Sequence, residues 1–219
     1  EELKRMNSLA VRTLFFLNIP SAIFFILFGT PIVQFVYERG AFKHSDTIMT
    51  AQILAFYSLS LPPLSANQII NRTFYSLKDS LTPLFCGVAS VIICAILNVL
   101  FVGPFGVRGL ALASSISAYF NMFLLLWFLR SRLGGIEGRK MVFSFLKITV
   151  ICLLVSFPFL CFFSNNPFGK GMKGAVIEIG IIIFLITPLF LWLSSIFRLE
   201  EWEFMRNSLL ARRFKRREG

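Results

Sequence analysis

Charge is scarce in this chain and histidine nearly missing. Only 15% of its 219 residues are Asp, Glu, Lys or Arg, against about 25% in soluble domains. The single histidine is His44, and a Ser-His-Asp triad would have to join it to Asp46 or Asp79. Nothing in the spacing favours that. Cys86, Cys94, Cys152 and Cys161 all fall inside apolar runs, where cysteine behaves as a small hydrophobe. No disulfide framework, metal cluster or cofactor is therefore expected, and no catalytic residues are assigned. Acidic residues number 11 against 22 basic ones, a net charge of +11. That excess would suit nucleic acid only if it formed a basic face on a folded domain. Here it collects in the joints between apolar runs and at the two ends, which is a membrane pattern.

What fills the chain is apolar: 56% hydrophobic residues, 27 Phe and a mean hydropathy of +0.75. No soluble fold of this length hides that much greasy surface, so the solvent must be lipid. Six apolar runs can be drawn, at 13–36, 47–75, 83–102, 107–129, 142–163 and 174–197. Each has about the 20 residues that a helix needs to cross the hydrocarbon. Open-chain spans must be helices, because unpaired backbone groups cannot be left in lipid. The fold class is thus all-α, a polytopic bundle of six transmembrane helices. Residues 1–130 hold four of these, 131–197 two more, and 198–219 form a basic amphipathic tail. In the tail Leu199, Trp202, Met205 and Leu209 follow helical spacing, which predicts an interfacial helix drawn to anionic lipid. The chain begins Glu-Glu-Leu-Lys without an initiator Met or signal peptide. It is expected to be an internal or C-terminal piece of something longer.

Pro20 and Pro31 predict kinks in the first run, and Pro62-Pro63 a harder break in the second. A broken span either bends around a cavity or kinks for packing. Runs three and four form a hairpin, each with a four-residue rhythm of small groups ending in asparagine. These are Cys86, Ser90, Cys94, Asn98 and Gly109, Ala113, Ser117, Asn121. Such stripes let helix backbones approach, and the asparagines are expected to bond between helices. Runs five and six look stripe-free and Phe-rich, with surfaces suited to lipid chains.

The polar candidates sit on the stretch that ends the second run. Asn67 and Asn71 are four apart, as are Gln68 and Arg72, so all four are expected to crowd one side of a helix. That face is either a cavity lining or an interface anchor. Arg72 is either a fork for a pyrophosphate or an anchor paired with Asp79 or lipid phosphate. Lys147, inside the fifth run, either snorkels to the interface or joins the polar contacts. Glu178 near the start of run six suits a helix dipole or a coupling role.

Six spans leave both ends on one side. The joints on that side carry fifteen basic residues, including Lys78, Arg130, Arg132, Arg139 and Lys140; the opposite joints carry five. Positive charge gathers in the cytoplasm, so both ends and the Lys78 turn are expected there.

Phe74-Tyr75-Ser76-Leu77-Lys78-Asp79-Ser80-Leu81-Thr82-Pro83 resembles the FYALKDTxTP stretch of the MurJ/MviN lipid II flippases. Tyr37-Glu38-Arg39-Gly40-Ala41-Phe42 is similar to the ERGAF loop that precedes it there. A looser match runs from Asn98 through Pro104 to Gly109-Leu110-Ala111-Leu112-Ala113 and Asn121. Ser80 departs from the family's threonine, and residues 140–219 match only as further hydrophobic helices. The resemblance implies the last six helices of a multidrug-and-oligosaccharide-exporter-like (MOP) transporter in the bacterial inner membrane. It implies an undecaprenyl-linked substrate, membrane lipids and the missing N-terminal helices as partners, and no enzymatic chemistry. It also implies that the final two helices border a groove for the lipid tail. The rivals are another exporter of that superfamily, for O-antigen or drugs, and a non-transporting membrane scaffold.

Overall fold

A computed structural model describes residues 2–135, 137–163, 180, 184–185 and 187–196. The tail from 198 onward, Glu178 and the loop before it lie outside the described residues. Seven helices are described: α1 (Glu2–Tyr37), α2 (His44–Ser58), α3 (Leu61–Ser76), α4 (Leu81–Phe105), α5 (Val107–Leu133), α6 (Gly138–Phe163) and α7 (Thr187–Ile196). Among the described residues, four helices are long and apolar enough to span a bilayer, lying within α1, α4, α5 and α6.

Helix α1 is bent rather than straight. Pro31 lacks the N–H that would bond the carbonyl four residues back, and Phe28 leaves helical geometry at φ −115°, ψ 19°. Pro20 produces no such departure. Below the bend α1 carries α6, and above it α2. Gly29 lies at the second contact, where a Cβ would sit at ordinary van der Waals distance, 3.4 Å, from the Ala51 carbonyl oxygen.

The expected second span is two helices. Its break falls at Leu59-Ser60, ahead of the proline pair, which occupies the first turn of α3. Proline is at home there, because first-turn N–H groups have no intrahelical partner. Two carbonyls at the end of α2 accept hydroxyls in addition to the Leu59 and Ser60 N–H groups: Ser60 donates to Tyr57 O at 2.6 Å and Ser115 of α5 to Phe56 O at 2.6 Å. A broken helix in lipid needs such substitutes.

The α4–α5 hairpin turns at Gly106, whose φ is +57°. Its small-residue stripe on α5 is buried, with Ala113 fully enclosed. Gly109 is the point of closest approach: a Cβ there would lie 2.4 Å from the Phe101 carbonyl oxygen. The asparagines differ from expectation. Asn98 Nδ2 points back to Cys94 Sγ on its own helix at 3.8 Å, and the side-chain oxygens of Asn98 and Asn121 are buried without partners among the described residues. Close approach, not amide bonding, holds this hairpin.

Helix α6 corrects a second expectation, for it does carry a stripe of small groups. Ser144, Cys152 and Ser156 are buried, with Ile148 and Val155 among them. That face packs on α1, where Phe15 meets Phe145 edge-on at 5.5 Å. The opposite face, with Phe143, Leu146, Val150, Leu154 and Phe157, is exposed. Phe190 of α7 closes the same core against Phe16 at 5.3 Å.

Candidate functional site

The polar end of α3 divides into two faces instead of forming one. Asn67 is buried and its Nδ2 donates to the Ala118 carbonyl of α5 at 3.3 Å. Asn71, four residues on, is half-buried, and its side-chain oxygen is enclosed without a partner among the described residues. Gln68 and Arg72 are exposed. Neighbouring residues on a helix lie about 100° apart, so the pair 67/71 turns inward while 68/72 turns out. Asn67 thus fastens α3 to α5, and Arg72 is a cation of the outward face without an ion pair among the described residues.

Asn71 also lines a cleft between α3 and α4. Its volume is 620 Å³, and its walls include Tyr75, Pro83, Gly87, Val88 and Val91. The two helices scarcely touch beyond the turn that joins them, so the cleft opens sideways.

That turn is tightly specified. The Asp79 N–H donates to Phe74 O at 3.0 Å and the Lys78 N–H to Tyr75 O at 3.0 Å, a Schellman closure of α3. The left-handed position this closure requires is occupied by Lys78, φ +58°. Asp79 then caps α4, accepting from the Thr82 N–H at 3.1 Å and the Thr82 hydroxyl at 2.8 Å. Its ion-pair partner is Arg132 of α5, at 3.1 Å. The alternative in which Arg72 pairs with Asp79 is therefore corrected: Arg72 makes no ion pair among the described residues. The Thr82 N–H and hydroxyl, and then Arg132, hold the Asp79 carboxyl below its ordinary value.

Lys147 projects from the exposed face of α6, apart from the α3 face. Arg139, two turns earlier, lies 5.7 Å over the Phe143 ring, a cation–π contact. The structure thus does not gather Lys147 with the residues of α3.

Two groupings escaped the sequence pattern. Glu38, of the ERGAF-like loop, accepts from the fully buried Thr47 hydroxyl at 2.8 Å and lies 3.5 Å from His44. It closes the α1–α2 turn, in which Asp46 accepts the Lys43 N–H at 2.9 Å. The other is a buried cation. Arg12 Nε donates to Ser144 Oγ at 2.7 Å, with Asn7 and Ser8 buried nearby on α1. Polar residues at four- and five-residue intervals, 7, 8 and 12, were the available signal. Among the described residues no group of three or more His, Cys, Asp or Glu could hold a metal.

Comparison with known proteins bears on the whole assembly. The family described as "Lipid II flippase MurJ" matches residues 1–196. The Lipid II flippase MurJ of Thermosipho africanus (strain TCF52B) is 33% identical over 178 residues, which is 81% of this chain and 35% of that protein. A probable lipid II flippase MurJ of Rickettsia prowazekii (strain Madrid E) is 29% identical over 195 residues, 84% of this chain and 38% of its own length. A solved structure titled "Lipid II flippase MurJ, inward closed conformation" superposes with a TM-score of 0.73 at 29% identity. It covers 89% of this chain and 39% of that one. The chain therefore spans little more than a third of the length of these three relatives. Its helices make it a multi-pass membrane protein, and it belongs to the MurJ lipid II flippase family.

Proposed function

We propose that this chain is the C-terminal part of a flippase that moves lipid II from the inner to the outer leaflet of a bacterial cytoplasmic membrane. The observation that carries the reading is the joint match of sequence and fold across nearly all of the described bundle. No bond is made or broken; two lobes alternate access to a polar path, with the undecaprenyl tail outside it. The second lobe comes from helices upstream of this chain, and both ends of the chain face the cytoplasm.

Within the chain the substrate contacts are Arg72 and Gln68, exposed on α3, and Asn71 in the wall of the α3–α4 cleft. Asn67 holds that helix in place. An arginine fork suits a pyrophosphate, binding it through two parallel hydrogen bonds. Lys147 acts separately, on the lipid-facing side of α6, where a lysine needs an anion or a route to the interface.

A headgroup must cross about 30 Å of hydrocarbon. Arg72 and Lys147 are the basic residues well inside the apolar runs, and both fall in the half assigned to the cytoplasm. The outward half of the path needs its cation from the other lobe. The test is rescue of cells depleted of their own flippase. The full-length protein should restore growth, this chain alone should not, and Arg72→Ala in the full-length protein should weaken rescue. Growth on the isolated chain would overturn the two-lobe reading, and undiminished rescue by Arg72→Ala would remove Arg72 from the path.

A further inference from the structure

Helix α6 follows α5 in sequence but packs on α1 and, more lightly, on α7. The connection from α5 runs through Gly134 and Gly135, with φ of +65° and +135°. The first closes α5, since the Gly135 N–H returns to Arg130 O at 3.0 Å. A Cβ on either glycine would meet nothing within 4 Å. Glycine leaves both torsions soft.

Most of what α6 presents to α1 is apolar, as at Phe15 and Phe145. In a membrane such faces have little preference for each other over lipid tails, because the tails are equally apolar. Specific orientation has to come from close fit and polar contacts. Arg12 supplies the polar contact. It is 8% exposed and donates to Ser144, itself 5% exposed, at 2.7 Å. Glu137 lies between the glycine pair and the start of α6, with Lys140 on it at 2.7 Å. Arg12 of α1 thus holds the arm directly, at Ser144.

We propose that α6 is an arm hinged at Gly134-Gly135, and that Arg12 is the positioning residue that latches it to α1 through Ser144. Opening the latch lets α6 swing relative to α5. This goes beyond the transport reading; only the translocation measurement below rests on it.

The test uses the full-length protein with Cys86, Cys94, Cys152 and Cys161 replaced by Ala. Spin labels are placed at Phe123 of α5 and Leu154 of α6, which are 63% and 60% exposed. The unmodified latch should give one narrow distance distribution. Arg12→Gln and Ser144→Ala should each broaden it or add a second population, with Arg12→Lys between them. Distributions that superimpose on the parent for both Arg12→Gln and Ser144→Ala overturn the hinge. A cleavable bifunctional thiol reagent bridging Arg12→Cys to Ser144→Cys should then restore the narrow distance. It should also cut lipid II translocation in vesicles at least tenfold, with recovery on cleavage. Full translocation by the bridged protein overturns the swing as a working step. A parent protein that moves no lipid II would defeat the transport reading and leave the distance comparison standing.

Discussion

Arg132, in the last turn of α5, reaches across 3.1 Å to the Asp79 carboxylate that also caps the first turn of α4. The turn between α3 and α4 is thereby tied to the far end of the hairpin, and both lie at one end of the bundle. The pairing has a pH signature. The folded-state pKa of Asp79 lies below its ordinary value of 3.8, so the stability it brings is present above that value. It is lost as pH falls through the lowered folded pKa. Asp79→Asn should unfold at lower temperature than the parent at neutral pH, and the gap should close below about pH 4. A gap that persists undiminished in acid would mean that the charge is not what matters.

Lys78 holds a left-handed position that glycine adopts at no steric cost. Lys78→Gly should raise stability by about 0.5–1 kcal/mol, the usual scale of relief at a compatible site. Thermal unfolding of detergent-purified protein measures it, and a loss of stability would show that the lysine side chain contributes more than its backbone costs.

Gly109 has no room for a methyl group. At 2.4 Å from the Phe101 carbonyl, a Cβ would force the two backbones apart. Gly109→Ala should destabilise by about 1–3 kcal/mol, the range for overpacking. Ala113→Leu, on the same buried stripe, should act in the same direction. Unchanged unfolding in both would show that the stripe is not a packing surface.

The proposed orientation is checked by thiol labelling. A cysteine at His44 should react with a membrane-impermeant reagent in intact cells, whereas one at Lys78 or Glu137 should not. The reverse pattern would invert the bundle, and with it the side on which Arg72 meets substrate.

Much of the bundle can be read from composition and spacing, because in lipid the apolar run and the helix are nearly the same object. The break in the second span was legible from Pro62-Pro63, though it falls ahead of the pair because proline fits the first turn of α3. The hairpin stripes were legible for the same reason of backbone approach. What their asparagines do was not, since Cys94 lies one turn from Asn98 and competes for its amide. The polar end of α3 was legible as polar but not as two-faced, because a four-residue rule groups 67 with 71 and 68 with 72 without ordering the groups. Arg12 counted only as a charge near a membrane surface. Its partner lies 132 positions away, and pairing at that range is a property of packing, which no local pattern carries.

The bend at Phe28 gives α1 the character of a lever with unequal loads. Arg12 lies some 24 Å along the axis from it, at 1.5 Å per residue. A change of about 10° at the bend carries that guanidinium roughly 4 Å sideways, by the same helix geometry. A hydrogen bond does not survive such a shear. Either α6 travels with the lower arm of α1 or the contact with Ser144 breaks, while α2, fastened above the bend at Gly29, stays where it is. A small rotation at one residue of α1 thus becomes a choice made near the other end of that helix.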